Sequence, residues 1–212
     1  MTEYYKILNE KTNISPKTIL EIGSRDGNDA EILRSMFKID PKNVWVVEPN
    51  PIQQNSILGK YPNVNLIKSP IFNEEKTLTF YGVNVTDQTL NGVSSLLNRV
   101  DGLYDQINTD KIELQTMLGS TLLDIIDNDV DLCKIDVEGA TYEVLESFGE
   151  KINKIKSLHI ECEHRSVWVN QKFYDDVSLF LSENNFTQIY FKHCAGDTLQ
   201  SDSIWVQTNF LK

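Results

Sequence analysis

The sequence predicts an α/β domain, a three-layer αβα sandwich around a seven-stranded, mostly parallel sheet. Three observations predict it. Short apolar runs that end in an acid recur along the chain, stretches with helical apolar spacing separate them, and turns marked by Gly or Pro join the two. Strands that alternate with helices in this way require right-handed crossovers and a parallel sheet. The 212 residues are enough for one sizeable core, and no linker, repeat or low-complexity tract divides them, so a single domain over 1–212 is expected.

Residues 1–16 form a short polar lead-in with some helical character, ended by Pro16. Ile19, Leu20 and Ile22 then read as a buried strand, and Ala30, Leu33, Met36 and Phe37 recur at helical spacing, so Gly23 to Gly27 is a strand-to-helix turn. Its glycines permit a tight turn and close approach of a ligand, and a helix start offers unpaired N–H groups. A lone glycine-rich turn also occurs as a plain connection, and Glu21-x-Gly23-x-x-x-Gly27 lacks one glycine of the dinucleotide fingerprint. The second strand, Val44 to Val47, ends in Glu48, about twenty residues past the turn, where a carboxylate can accept hydrogen bonds from a ribose diol. A solvated strand-end acid is the competing account of Glu48. Pro49 and Pro51 stop this strand and permit a helix over 52–58.

Asn63 to Lys68 is the third strand. The loop from Ser69 leads into a period-two strand with Leu78 and Phe80 on one face. Residues 82–110 are polar, Gly-spotted and poorly periodic, which marks either a functional lid over a substrate or a mobile insertion. Leu118, Leu122, Ile125 and Ile126 mark the next helix, Asp131 to Asp136 the fourth strand, and Thr141, Val144, Leu145 and Phe148 the helix after it. Ser157 to Glu163 is the fifth strand, with Leu158, Ile160 and Cys162 alternating against His159, Glu161 and Glu163. A helix carrying Phe173, Val177, Phe180 and Leu181 follows, then strands at 187–193 and 203–206.

A formal net charge of −11, from 20 Lys plus Arg against 31 Asp plus Glu, disfavours nucleic-acid partners and anionic membranes. No apolar run is long enough for a membrane span and no signal-peptide pattern opens the chain, so a cytoplasmic protein is expected. Cys133, Cys162 and Cys194 read as small buried hydrophobes in a reducing compartment. The three histidines lack zinc-ligand spacing.

Taken together, Ile19 to Gly27, Val47-Glu-Pro-Asn-Pro51, Ser94-Ser95-Leu96 and above all Lys134-Ile-Asp-Val-Glu-Gly-Ala-Thr-Tyr-Glu-Val-Leu145 resemble the FkbM family of S-adenosylmethionine-dependent O-methyltransferases. The resemblance runs from about Thr18 to Asn185. It departs from the family at Ser24-Arg25-Asp26 between the two glycines and at Thr141. The resemblance implies a class I methyltransferase (Rossmann-like) sheet with an antiparallel last strand. It further implies that Glu21, Gly23, Ser24 and Gly27 line the methionine side of the cofactor, that Glu48 and Pro49 meet its ribose, and that Ser69, Pro70 and Ile71 lie near adenine. Asp136 would sit at the mouth of the fourth strand, where the family's catalytic acids cluster.

A sugar-like alcohol is a poor nucleophile until its proton is removed, either by a base or by a divalent cation that lowers its pKa. Acids at adjacent strand ends suit Mg2+ or Mn2+. The expected ligands are therefore Asp136 with one or both of Glu161 and Glu163, and His164 is a candidate base nearby. The competing accounts are structural: Glu161 and Glu163 pair with Lys134 or Arg165, Glu138 caps the following helix, and Trp168 and Tyr174 anchor a loop rather than stack on a sugar. The expected acceptor is a small molecule or an oligosaccharide, with a hydroxyl of a glycan sugar favoured. The short lead-in fits a domain excised from a larger glycan-modifying protein. Two other classes stay open: a binding domain without catalysis, and a nicotinamide-dependent oxidoreductase.

Overall fold

The computed structural model describes residues 2–83, 93–100, 109–194 and 199–212. Its main sheet has seven strands in the order β3-β2-β1-β6-β7-β9-β8. The strands are β1 (Ile19–Ile22), β2 (Val44–Val47), β3 (Asn65–Ile67), β6 (Leu132–Ile135), β7 (Ser157–Glu163), β8 (Phe186–His193) and β9 (Gln200–Gln207). The first five pair in parallel. β9, the last, runs antiparallel between β7 and β8, as expected.

Alternation along the strands builds the two faces. Ile19, Val44, Val46, Leu132, Ile204 and Val206 face α1 (Thr2–Lys11), α2 (Asn28–Phe37) and α3 (Pro51–Lys60). Leu20, Ile22, Val47, Cys133, Ile135, Leu158, Ile160 and Trp205 face α4 (Gly119–Ile126), α5 (Thr141–Ser147) and α6 (Tyr174–Glu183). Because both faces are covered, the central strands β1, β2 and β6 are apolar at nearly every position, and this is why they read as continuous runs.

Two elements differ from the expectation. The lead-in is more than a polar tail: its helix α1 buries Tyr4 and Leu8 against the sheet, and the Tyr4 hydroxyl lies 3.2 Å from Ser157 Oγ. The expected strand around Leu78 is β4 (Thr77–Val83), but it pairs with an unforeseen strand, β5 (Thr109–Gln115), as a separate antiparallel ribbon. β5 escaped notice because its alternation, Lys111, Glu113 and Gln115 against Ile112 and Leu114, carries few apolar residues. The lid expected within 82–110 falls partly on residues 84–92 and 101–108, which lie outside the described residues. Among the described residues no helix is long and apolar enough to cross a membrane.

Candidate active site

The site forms where β1, β2 and β6 end. Gly23, at φ +82°, turns the chain so tightly against β6 that a Cβ there would meet the Asp136 carbonyl oxygen at 1.8 Å. The Gly23 and Ser24 N–H groups both donate to the Val47 carbonyl, each at 3.1 Å. Gly27 caps α2 with no side chain of its own, and Glu21 supplies the cap instead. Glu21 Oε2 accepts from the Ala30 N–H at 3.2 Å and from Ser24 Oγ at 2.8 Å.

Glu21 is buried beneath this turn, and burial pushes its carboxyl up to about 7 against the pull of the Lys134 ammonium 3.8 Å away. The same ammonium reaches Asp29 Oδ2 at 2.6 Å and Asp136 Oδ2 at 3.1 Å. These three carboxylates hold Lys134 in its charged form despite its burial.

Beside the turn opens a cavity with about 580 Å³ of empty space, part of it open to solvent. Its walls are mostly apolar (Ile22, Val47, Pro70, Ile71, Phe80 and Val137), and Glu48 and Asp136 give it acidic groups on opposite sides. Glu48 is held by two backbone donors, the Asn50 N–H on Oε1 and the Arg25 N–H on Oε2, both at 2.7 Å. Burial is the larger influence and raises its carboxyl to about 7.

A roof comes from the segment after β4. Ser94, Ser95 and Leu96 line the cavity from above. Ser95 bridges to Tyr81 and donates its hydroxyl to the Glu138 carbonyl at 2.6 Å. Asn98 and Val100 pair with Val169 and Val167, and the Arg99 guanidinium lies 5.0 Å from the Trp168 ring.

Asp136 joins this cavity to a second feature. Single oxygens of Asp136, Glu138 and Glu161 lie within 4.8 Å of one another. Burial and then the neighbouring carboxylates push Glu138 well up and Glu161 to about 9. Such mutual repulsion is what a cation relieves, and an all-oxygen donor set fits Mg2+ or Mn2+.

The sequence model of the Methyltransferase FkbM domain matches residues 21–187, most of the chain. The chain belongs to the FkbM methyltransferase family. No curated protein matches it. Solved structures of similar fold include the FkbM methyltransferase of Methylobacillus flagellatus, with 17% identity and a TM-score of 0.56 over 91% of this chain. The chain spans only 44% of that protein's length. The magnesium protoporphyrin IX methyltransferase of Synechocystis, solved with bound S-adenosylmethionine, aligns with 8% identity and a TM-score of 0.54 over 97% of this chain and 76% of its own. An rRNA methylase of Streptococcus thermophilus aligns with 9% identity and a TM-score of 0.53 over 97% of this chain and 95% of its own. These likenesses establish the fold, a class I methyltransferase sheet.

Within this FkbM domain the expected site residues separate into three groups. Gly23, Glu48, Pro49, Pro70, Ile71 and Asp136 line the cavity. Glu21, Ser24, Gly27 and Ser69 do not; the first three build the turn behind its wall. Glu161 joins Asp136 in the acid trio, and Glu163 and His164 stand apart from it.

Glu163 is engaged elsewhere: its two oxygens accept from Trp168 Nε1 and Gln171 Nε2, each at 3.2 Å. Glu138, for which the sequence leaves both helix capping and a part in catalysis open, takes its place in the trio, where a left-handed backbone at φ 52° turns it back toward Asp136. His164 Nε2 lies 2.8 Å from Ser201 Oγ, in a ring cluster with Tyr174, Phe191 and His193, and outside the cavity lining. Burial, then the charge of His193, lowers its pKa.

Trp168 is 1% exposed, so it anchors the loop and offers no face to a sugar. The cavity also uses Arg25, Gln53, Phe80, Ser94 to Leu96 and Ala140, none of them expected from sequence in this role. The motif Ser94-Ser95-Leu96 was the one available signal for the roof.

Glu163→Ala is expected to leave the Trp168 and Gln171 donors unpaired, at a cost of about 2–3 kcal/mol. The melting temperature should fall by roughly 5–10 °C for a domain of this size. Mn2+ affinity measured by titration calorimetry should not change, whereas a ligand role for Glu163 would weaken it.

Proposed function

We propose that the domain transfers a methyl group from S-adenosylmethionine to a hydroxyl, that of a sugar in a glycan or glycoconjugate, with help from a divalent cation. The observation that carries this reading is Asp136, which belongs to both the cavity at the strand ends and the acid trio. When bound, the cofactor supplies an electrophilic methyl on a sulfonium. Glu48 accepts the ribose hydroxyls through the lone pairs its backbone donors leave free, and the apolar walls from Pro70 to Phe80 enclose the adenine and exclude water.

Asp136 accepts the acceptor's hydroxyl proton, and the roof and turn hold the partners in line. A cation on Asp136, Glu138 and Glu161 would lower the hydroxyl's pKa. The acceptor's sugar character is favoured by Phe191 and His193, exposed next to Tyr174 at the carboxyl end of β8. An RNA acceptor is disfavoured by the net charge of −11 and the acids at the mouth.

Calorimetry tests the cofactor: S-adenosylhomocysteine should bind and NAD should not, and the reverse would return the oxidoreductase reading. Glycans incubated with labelled cofactor, with EDTA or with added Mg2+ or Mn2+, and read by mass spectrometry, test the acceptor and the cation.

Binding should also depend on pH. The ribose diol donates to an ionised Glu48, whose carboxyl titrates at about 7 in the free protein. S-adenosylhomocysteine affinity is therefore full above pH 7 and falls as the pH drops below it, by roughly tenfold per unit well below that value. In Glu48→Gln this dependence should vanish. Stability has its own sign. A carboxyl with a raised folded-state pKa keeps its proton while the unfolded chain loses it, so its contribution to stability falls as pH rises from the ordinary 4.5 to about 7.

A further inference from the structure

We propose that Arg25 is a specificity residue of the cofactor site, and that its guanidinium binds the carboxylate of the methionine tail. This inference rests on the cofactor reading above. Three observations carry it.

First, among the described residues the cavity lining contains the acids Glu48 and Asp136 and one cation, the exposed Arg25. S-adenosylmethionine and S-adenosylhomocysteine each carry one carboxylate, and a carboxylate entering a largely apolar cavity requires a counter-ion. Second, among the described residues no carboxylate, carbonyl or ring pairs with the Arg25 side chain, whereas Arg34 is tied to Glu31 by bonds of 2.7 Å. Third, the Arg25 backbone is left-handed, at φ 53°, a conformation costing an L-residue about 1 kcal/mol or more. A glycine would adopt it without strain. With arginine there, the N–H still reaches Glu48 Oε2 and a charged side chain is placed at the cavity wall. One residue thus braces the ribose-side acid through its backbone and offers a fork of donors to an anion through its side chain.

A pair of ligands isolates the tail. 5′-Methylthioadenosine shares the adenine, ribose and thioether of S-adenosylhomocysteine but lacks its amino and carboxylate groups. In calorimetry on the whole chain, Arg25→Met is expected to weaken S-adenosylhomocysteine by roughly fivefold, the scale of an ion pair at an exposed side chain. Binding of 5′-methylthioadenosine should stay within about twofold. Arg25→Lys, which keeps the charge and loses the fork, should fall between. The wild-type preference for S-adenosylhomocysteine over 5′-methylthioadenosine should shrink as salt rises, because the pair is partly solvated.

Equal weakening of both ligands would place Arg25 at the nucleoside end and overturn the assignment, as would no weakening of either. Arg25→Gly, which relieves the backbone strain, should match Arg25→Met in its ligand discrimination; if it binds S-adenosylhomocysteine like wild type, the side chain has no such role. Failure of the wild type to bind either ligand would count against the cofactor reading itself, a distinct result.

Discussion

Asp136→Asn is expected to lower methyl transfer by a hundredfold or more while S-adenosylhomocysteine binding stays within about threefold. The substitution preserves shape but removes the negative charge, so it separates two roles. As part of the cavity wall, Asp136 contributes one polar contact among many apolar ones, and its backbone N–H still donates to Ile22 at 2.9 Å. In the proposed mechanism it is also the proton acceptor and one of three ligands to a cation, so without its charge the hydroxyl would stay protonated and the cation would lose a ligand. The rate constant should therefore fall far more than affinity for the cofactor. Mn2+ affinity should fall in parallel, by about tenfold or more for one of three carboxylate ligands. Full activity in the variant, together with indifference to EDTA, would rule out the acid-centred mechanism and leave alignment alone as the source of catalysis.

Gly23→Ala should be among the most damaging single-methyl additions in the domain. The new Cβ would lie 1.8 Å from the Asp136 carbonyl oxygen and 2.7 Å from its carbon, against backbone that cannot rotate away, and the residue would be held at φ +82°. Relief requires β1 and β6 to part. That would break the Asp136 N–H to Ile22 bond and shift the two donors that Val47 accepts. A cost of about 4 kcal/mol or more follows, and S-adenosylhomocysteine binding should be lost with the turn. Gly59→Ala in α3 is the control. A Cβ there meets nothing within 4 Å, so alanine should stabilise the helix by up to about 1 kcal/mol. Thermal melts of the two variants should move in opposite directions. A Gly23→Ala protein as stable as wild type would mean that the strand ends are not packed as described.

Much of the fold was legible because it rests on local pattern. β1, β2 and β6 are apolar at consecutive positions because helices cover both faces, and the acids Glu48 and Asp136 stand beyond the ends of β2 and β6, where the sheet gives way to the cavity. The placement of Glu138 was not legible. Its sequence neighbourhood fits a helix cap equally well, and only the left-handed backbone beside Gly139 turns it toward Asp136. Glu163 shows the opposite failure. It has the right spacing for a shared site with Glu161, but the indole of Trp168 and the amide of Gln171, from a loop beyond the strand, occupy its oxygens. Glu21 was legible as an important acid and misplaced in detail, since a carboxylate at the end of the first strand can face a ligand or reach back to cap α2 with equal spacing.

By itself, the sequence determined the alternating α/β order, the turn at Gly23 and the family, because each depends on neighbours along the chain and on hydrophobic period. Tertiary structure alone decided which acids meet, that β4 and β5 pair apart from the main sheet, and that Ser94 to Leu96 roof the cavity. Except for Asp136 and Glu138, which a local backbone turn brings together, those contacts join segments far apart in sequence. Side-chain direction there is set by crossing strands and loop packing, which no local pattern encodes.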